Sequence, residues 1–417
     1  MKNISQNQGR AWLVTSAGIL INLMLGTLYA WSVLKEAISD SIAKGGAGAF
    51  QWDISALNDP YAVCVLAFAF SMMLAGKIQD VKGPSFAAKI GGVLVGIGFI
   101  VASLTTNYYL WILGFGLLAG TGIGFGYSAT TPAALKWFSA SRSGMVAGLV
   151  VSGFGLAPVI IAPTTSLLVG AFGLQHTMLI FGISFFILIT GLAFLLNNPP
   201  ADYVPVDKKS SNVEKLQIAE VEDKTAIDML KSFNFYVIWT IFFIGSGAGL
   251  MVIGNISGMA KASLGASAFI AVVIMAVGNA SGRVIAGVVS DKISRPLTLL
   301  LILIFQSTLM LIAFFFLKES SSAFFIVLLA TFIGFNYGTN LSLFPSFTKS
   351  YWGMKNFGLN YGVLMTAWGL GGFIFSRLSQ TLYAKTHTHA TSFLIAGICL
   401  IICMALTIYI FKKEKVK

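Results

Sequence analysis

The sequence is poor in charge and poorest in acid. Of 417 residues 10% are charged, with 15 Asp and Glu against 27 Lys and Arg. All the acids fall in loops, in one polar linker or at helix ends, so a buried carboxylate that carries a proton is excluded. Histidine is scarcer still. His176, His387 and His389 all fall on one predicted side and form no constellation for acid–base, nucleophilic or metal chemistry. The three cysteines, Cys64, Cys399 and Cys403, lie in apolar stretches without the spacing of a zinc site or a secreted disulfide framework. No glycine-rich loop to cradle nucleotide phosphates is present. Neither an enzyme, nor a resident cofactor or metal, nor ATP-driven work is expected. The net charge of +12 is spread singly between apolar runs, with no basic domain, which speaks against nucleic acid as a partner. The polar start, Met1 to Arg10, leads into a long apolar run with no small-residue cleavage pattern, and reads as a tail and a first span rather than a signal peptide.

What the chain has is apolar length. Apolar residues make up 56% of it and the mean hydropathy is +0.84, the composition of a polytopic helical membrane protein. Runs long enough to span a bilayer occur near 11–34, 57–78, 86–105, 108–131, 144–169, 175–197, 235–258, 267–289, 297–317, 323–346, 358–382 and 391–411. The predicted fold is all-α, with twelve transmembrane helices in two six-helix bundles. Residues 199–232, with Pro199, Pro200, Pro205 and a mixed-charge run from Lys208 to Lys231, form the one extended polar segment. They divide an N-terminal bundle, 1–198, from a C-terminal bundle, 233–417. Lysine and arginine set the orientation. With both termini and the linker cytoplasmic, Lys35, Lys44, Lys261, Lys318, Arg377 and Lys385 are the outer-side cations among the 27. The expected setting is the lipid bilayer of the cell (inner) membrane, as a monomer.

The halves repeat each other at nearly one offset. Gly76-x-x-x-Asp80 matches Gly287-x-x-x-Asp291, and Gly124-Phe125-Gly126-Tyr127 matches Gly334-Phe335-Asn336-Tyr337. Ser152-Gly153-Phe154-Gly155-Leu156 answers Thr366-Ala367-Trp368-Gly369-Leu370. A duplication of six helices follows, related by an axis along the membrane normal.

One residue breaks the apolar pattern. Arg283 lies eight residues before Asp291, the polar exit of span eight, hence roughly 12 Å inside a ~30 Å hydrocarbon core. A cation there costs at least ~2.5–3.5 kcal/mol and normally faces a partner or a water-filled cavity. With no buried acid to pair with, its natural partner is an anion from outside. Its repeat counterpart is Met72, so the second half supplies the charge and the first half mostly apolar wall. Asn279, four residues earlier, shares its helical face. The fork of Arg283 suits a carboxylate, and Asn279 suits a hydroxyl, a keto oxygen or the second carboxylate oxygen. The plainer alternatives are an arginine bonded to backbone carbonyls and an asparagine in a helix–helix hydrogen bond. Tyr127 and Tyr337, roughly 14 and 18 Å from Lys136 and Lys349 by helix rise, flank this depth as hydroxyl donors or as packing residues, with Tyr361 nearer the cytoplasmic mouth. Phe154 and Trp368 are candidate apolar walls. Tyr29 and Trp31 lie toward the outer end of span one, as an aromatic belt or an outer gate.

These motifs resemble the major facilitator superfamily over nearly the whole chain, and within it the oxalate/formate antiporter family near the monocarboxylate porters. Gly76-Lys-Ile-Gln-Asp80-Val-Lys-Gly83 and Gly287-Val-Val-Ser-Asp291-Lys-Ile-Ser-Arg295 look like the superfamily's cytoplasmic gating motif, with Pro84 in place of an arginine and Ser294 in place of a glycine. More specific are Gly26-x-x-Tyr29-x-Trp31-Ser32, Asn279-x-x-Gly282-Arg283, Phe344-Pro345 and Asn360-Tyr361-Gly362. The resemblance implies that Arg283 binds the substrate carboxylate and that Gly76, Asp80, Gly287 and Asp291 belong to the gate. Oxalate exchangers carry a second cation eight residues after the asparagine of Asn-Tyr-Gly, where this chain has Trp368. Monocarboxylate porters often place an aspartate where this chain has Asn279. The implied function is secondary transport of a small monocarboxylate of the lactate, pyruvate or formate type, by proton symport or anion exchange through alternating access. A dicarboxylate exchanger and a carrier-like anion sensor are the alternatives, the latter with a linker too short for an output domain.

Overall fold

The computed structural model of the chain describes residues 2–46, 48–138, 143–200, 203, 223–317, 321–353 and 356–415, and every regular element among them is a helix. Lipid offers no partner to a free N–H or C=O, so an apolar run that crosses it must satisfy its own backbone. Ten helical stretches are long and apolar enough to cross a membrane. One of them lies in α7 (Ser143–Ala193), which is broken at Gly173 (φ 78°, ψ 168°) and so holds predicted spans five and six. Predicted span eleven is α14 (Phe357–Thr386), 30 residues long and more polar than its neighbours through Asn360, Ser376, Arg377, Ser379 and Gln380. The twelve predicted spans are thus all helical.

Span one is bent. α1 (Lys2–Leu25) passes through a 3-10 turn, Gly26–Ala30, into α2 (Trp31–Lys44). Tightening in mid-helix re-aims the side chains it carries, and here it turns Tyr29 inward. A Cβ on Gly26 would stand 2.4 Å from the Phe154 carbonyl oxygen of α7, so this approach requires glycine. Tyr29 and Trp31 are 2% and 0% exposed. The aromatic-belt expectation therefore fails for both: Trp31 packs on Phe115 with ring centres 4.7 Å apart, and Tyr29 reaches the interior.

The repeat shows in the backbone of two loops. Between α3 (Asp59–Lys82) and α4 (Pro84–Ser103), Gly83 has φ 86° and ψ 163°. Between α11 (Phe269–Ile293) and α12 (Arg295–Phe316), Ser294 has φ 92° and ψ 150°. The serine thus holds a conformation that is essentially reserved for glycine, at a cost of ~1–3 kcal/mol.

The halves meet along two lines, α3 against α14 and α7 against α11. At the end that carries Asp59 they are tied by polar contacts. Lys261 of α10 (Ile256–Leu264) pairs with Asp40 and, at 3.2 Å, with Glu36. Arg377 pairs with Asp59 and donates to the Ser55 carbonyl at 3.1 Å. Gln380 donates to the Ile54 carbonyl at 2.7 Å, and Tyr61 to the Leu250 carbonyl at 3.2 Å. Lys35, one of the outer-side cations, is 6% exposed and donates to Asn255 at 2.5 Å. At the opposite end the halves touch through small residues: a Cβ on Gly362 would lie 3.3 Å from Met73, and one on Gly76 would lie 4.0 Å from the Gly358 carbonyl.

Candidate functional site

Arg283 and Asn279 project from α11 into the centre of the interface. α13 (Ala323–Trp352) lies so close behind them that a Cβ on Gly338 would stand 2.0 Å from the Asn279 carbonyl oxygen. That backbone contact fixes the rotation of α11. In front, α7 leaves room for the guanidinium at Gly155, where a Cβ would lie 3.3 Å from Nε. Arg283 is 2% exposed and Asn279 3%.

The guanidinium is only partly satisfied. Nε donates to Asn279 Oδ1 at 3.0 Å, and Nη1 donates across the interface to the Val151 carbonyl of α7 at 2.9 Å. Nη2 is buried with no hydrogen-bond partner. The arginine thus combines both readings of its sequence position, anchored on one backbone carbonyl and open at its tip. Asn279 Oδ1 is committed to Arg283 and so orients the cation; a keto or carboxylate oxygen would be met by its Nδ2 protons instead.

Around the open tip stand rings from both halves. Phe154 packs on Tyr29 with centres 4.9 Å apart and on Tyr127 at 5.3 Å. Tyr337, on α13, meets Tyr29 across the interface, with the hydroxyls 2.5 Å apart. Trp368, on α14, donates its indole N–H to the Tyr337 hydroxyl at 2.8 Å. It is therefore more than the apolar wall that its sequence position suggested. The Tyr29 and Tyr127 hydroxyls stand close enough to the Arg283 guanidinium to interact with it as hydrogen-bond partners, although neither makes a bond of normal geometry to Nη2. Tyr361 also feels that charge and stacks on Phe357. Phe68 of α3 was not singled out in the sequence. It touches Tyr127, Phe154 and Trp368 at 5.4, 5.9 and 4.8 Å and forms the hub of the cage. One phenylalanine among 34 carries no signal of its own.

The remaining predicted residues lie elsewhere. Gly76 faces the Gly358 backbone, and Gly287 has nothing within 4 Å of an added Cβ. The side chains of Asp80 and Asp291 lie outside the described residues, as does most of the linker. Asn360 of the Asn-Tyr-Gly motif is fully buried and donates to the Lys224 carbonyl at 3.0 Å, tying α14 to the described end of the linker.

A buried, half-satisfied cation between two matching sets of helices is the arrangement of a carrier, and sequence comparison decides the family. The sequence model of the Major Facilitator Superfamily matches residues 11–376 and, in a second overlapping match, 271–417. The chain belongs to the Major Facilitator Superfamily. As a member it is a multi-pass secondary transporter and not an enzyme. Similar superfamily proteins include the uncharacterized MFS-type transporter YhjX of Escherichia coli (strain K12), 28% identical over 88% of this chain and 87% of that protein. The oxalate:formate antiporter of Oxalobacter formigenes is 25% identical over 97% of this chain and 92% of its own length. Apicoplast pyruvate carrier 1 of Toxoplasma gondii is 22% identical over 94% and 87%.

Proposed function

We propose that this superfamily member carries a small monocarboxylate, of the lactate, pyruvate or formate type, clamped by Arg283. The observation that supports this reading is the unpartnered Nη2 of a buried arginine in an aromatic cage with no acid in it. A buried guanidinium with an unused N–H edge is strongly disfavoured, and a carboxylate that accepts from Nη2 and the second proton of Nη1 removes the penalty. Among the described residues Arg283 is the one cation in the cage. Arg377, on the same helix as Trp368, is engaged by Asp59 and the Ser55 carbonyl, and Lys35 is turned to Asn255. A monoanion therefore leaves the occupied site neutral, and a dianion leaves a negative charge in a low-dielectric space.

In this reading the moving bodies are 1–198 and 233–417, joined by 199–232 and rocking about the site. The Asp59 end faces outward by the lysine and arginine distribution, so the ion pairs there close the outer side. Gly76, Asp80, Gly287 and Asp291 belong to the gate at the cytoplasmic end. Exchange of oxalate is the second reading, favoured by the antiporter's identity over 97% of this chain. Proteoliposomes loaded and unloaded with each acid test both: accumulation of labelled pyruvate or lactate supports the first, and uptake only of labelled oxalate would replace it with the second.

A further inference from the structure

Trp368, Tyr337 and Tyr29 form a hydrogen-bonded line across the interface, with contacts of 2.8 and 2.5 Å. All three are at most 2% exposed, so bulk water does not compete. An indole N–H only donates, and a phenol has one proton to give. The indole proton occupies the side of the Tyr337 oxygen that it faces. The Tyr337 proton, confined near its ring plane, is left free to point toward Tyr29. Within the described residues either direction leaves one of the two phenol protons without an acceptor; with an anion at Arg283, donation from Tyr337 to Tyr29 gives every proton an acceptor, whereas the reverse leaves the Tyr337 proton buried without one. With the anion bound, Tyr29 accepts from Tyr337 and has its own proton to give. That hydroxyl interacts with the Arg283 guanidinium, whose Nη2 makes no hydrogen bond of normal geometry.

We propose that Trp368 is a positioning residue: acting through Tyr337, it makes Tyr29 a hydroxyl donor to the carboxylate held by Arg283. The anion is then gripped by one donor from each half. Each bond polarises the next, so the indole strengthens the donor two residues away. Tyr29 belongs to the first half and Tyr337 and Trp368 to the second, so the line is whole only while the Asp59 end is closed. A bound anion that draws on the Tyr29 proton favours that closed arrangement.

The proposal rests on the carboxylate reading, and the test separates the two. The dissociation constant of pyruvate is measured by titration calorimetry on purified protein carrying Trp368→Phe, Tyr337→Phe, both together, or Tyr29→Phe. Tyr29→Phe is expected to weaken binding ~10-fold or more, the loss of a hydrogen bond to a charged group. Tyr337→Phe removes no donor to the anion and is expected to weaken it clearly less. Trp368→Phe is expected to weaken binding several-fold in the unsubstituted background and to add nothing in the Tyr337→Phe background. Equal effects of Trp368→Phe in the two backgrounds would mean a packing wall and overturn the proposal. The two tyrosine variants differ from the protein by one oxygen each and decide the matter even if Trp368→Phe fails to fold: a loss at Tyr337→Phe equal to or above that at Tyr29→Phe overturns it. Pyruvate, lactate and formate all failing to bind the unsubstituted protein would overturn the carboxylate reading and the relay together, whereas binding with the wrong order of losses overturns the relay alone.

Discussion

Replacing Arg283 with lysine keeps the charge and removes the fork. In the structure the guanidinium spends Nε on Asn279 Oδ1 and one Nη1 proton on the Val151 carbonyl, and its open edge is Nη2 with the second Nη1 proton. A lysine ammonium at this position has the same two carbonyl oxygens as its nearest acceptors and places no donor where Nη2 stands. Each hydrogen bond to a charged group contributes ~1.5–3 kcal/mol, and the carboxylate loses two. The expected penalty is therefore ~3–6 kcal/mol, or at least ~100-fold in affinity at ~1.4 kcal/mol per factor of ten. The assay is initial-rate uptake of labelled pyruvate into proteoliposomes, normalised to the amount of folded, inserted protein. Uptake within about threefold of the unsubstituted protein would refute the clamp, since no arrangement of a single ammonium at this depth replaces the lost edge.

Other consequences follow from the same geometry. Asn279→Ala frees Nε and lets the guanidinium swing, so KM should rise ~10-fold, the worth of one charge-assisted hydrogen bond, while any pH-driven accumulation survives because no proton-carrying group is removed; abolished coupling with intact exchange would contradict this. Ser294→Gly relieves a φ of 92° and should stabilise the detergent-solubilised protein by ~1 kcal/mol, whereas Gly83→Ser in the matching loop should destabilise it by a similar amount. Thermal unfolding measures both. Outside the membrane, hydrogen bonds from the Thr225 side chain and backbone hold the Asp228 carboxyl below the usual carboxylate range. A folded-state value below the unfolded one means stability that is present above the ordinary carboxylate range and lost as pH falls through the lowered value. Thr225→Ala should return the Asp228 titration, followed by carbon NMR, toward the ordinary range.

Span positions were legible because bilayer crossing imposes length and apolarity on every helix. Arg283 was legible because a lone cation at that depth has few explanations. What sequence position along a helix does not convey is rotation and bending. Tyr29 looked like an interfacial aromatic until the 3-10 turn at Gly26–Ala30 turned it inward. Lys35 was assigned to the outer side, but its burial against Asn255 by the packing of α2 on α10 had no signal in the sequence. The Val151 carbonyl that anchors Arg283 has no sequence signal, since every residue offers the same backbone acceptor. Asn279 was placed on the right face by its spacing, but its partner is the arginine one turn away. The Ser294 departure from the gating motif reads as a simple substitution in the sequence, and becomes a strained loop in the backbone angles.

The most direct measurement of the central claim is competition by oxalate against labelled pyruvate uptake at neutral pH. With Arg283 the one cation among the described residues of the cage and Trp368 donating to Tyr337, a second carboxylate would stand unpaired in a low-dielectric site, at a cost of several kcal/mol. Monocarboxylates of two or three carbons should compete with pyruvate, and oxalate should leave uptake unchanged at concentrations ~100-fold above those that suffice for lactate. Oxalate competing as well as lactate would contradict the account, and would mean that a second cation reaches the site during transport.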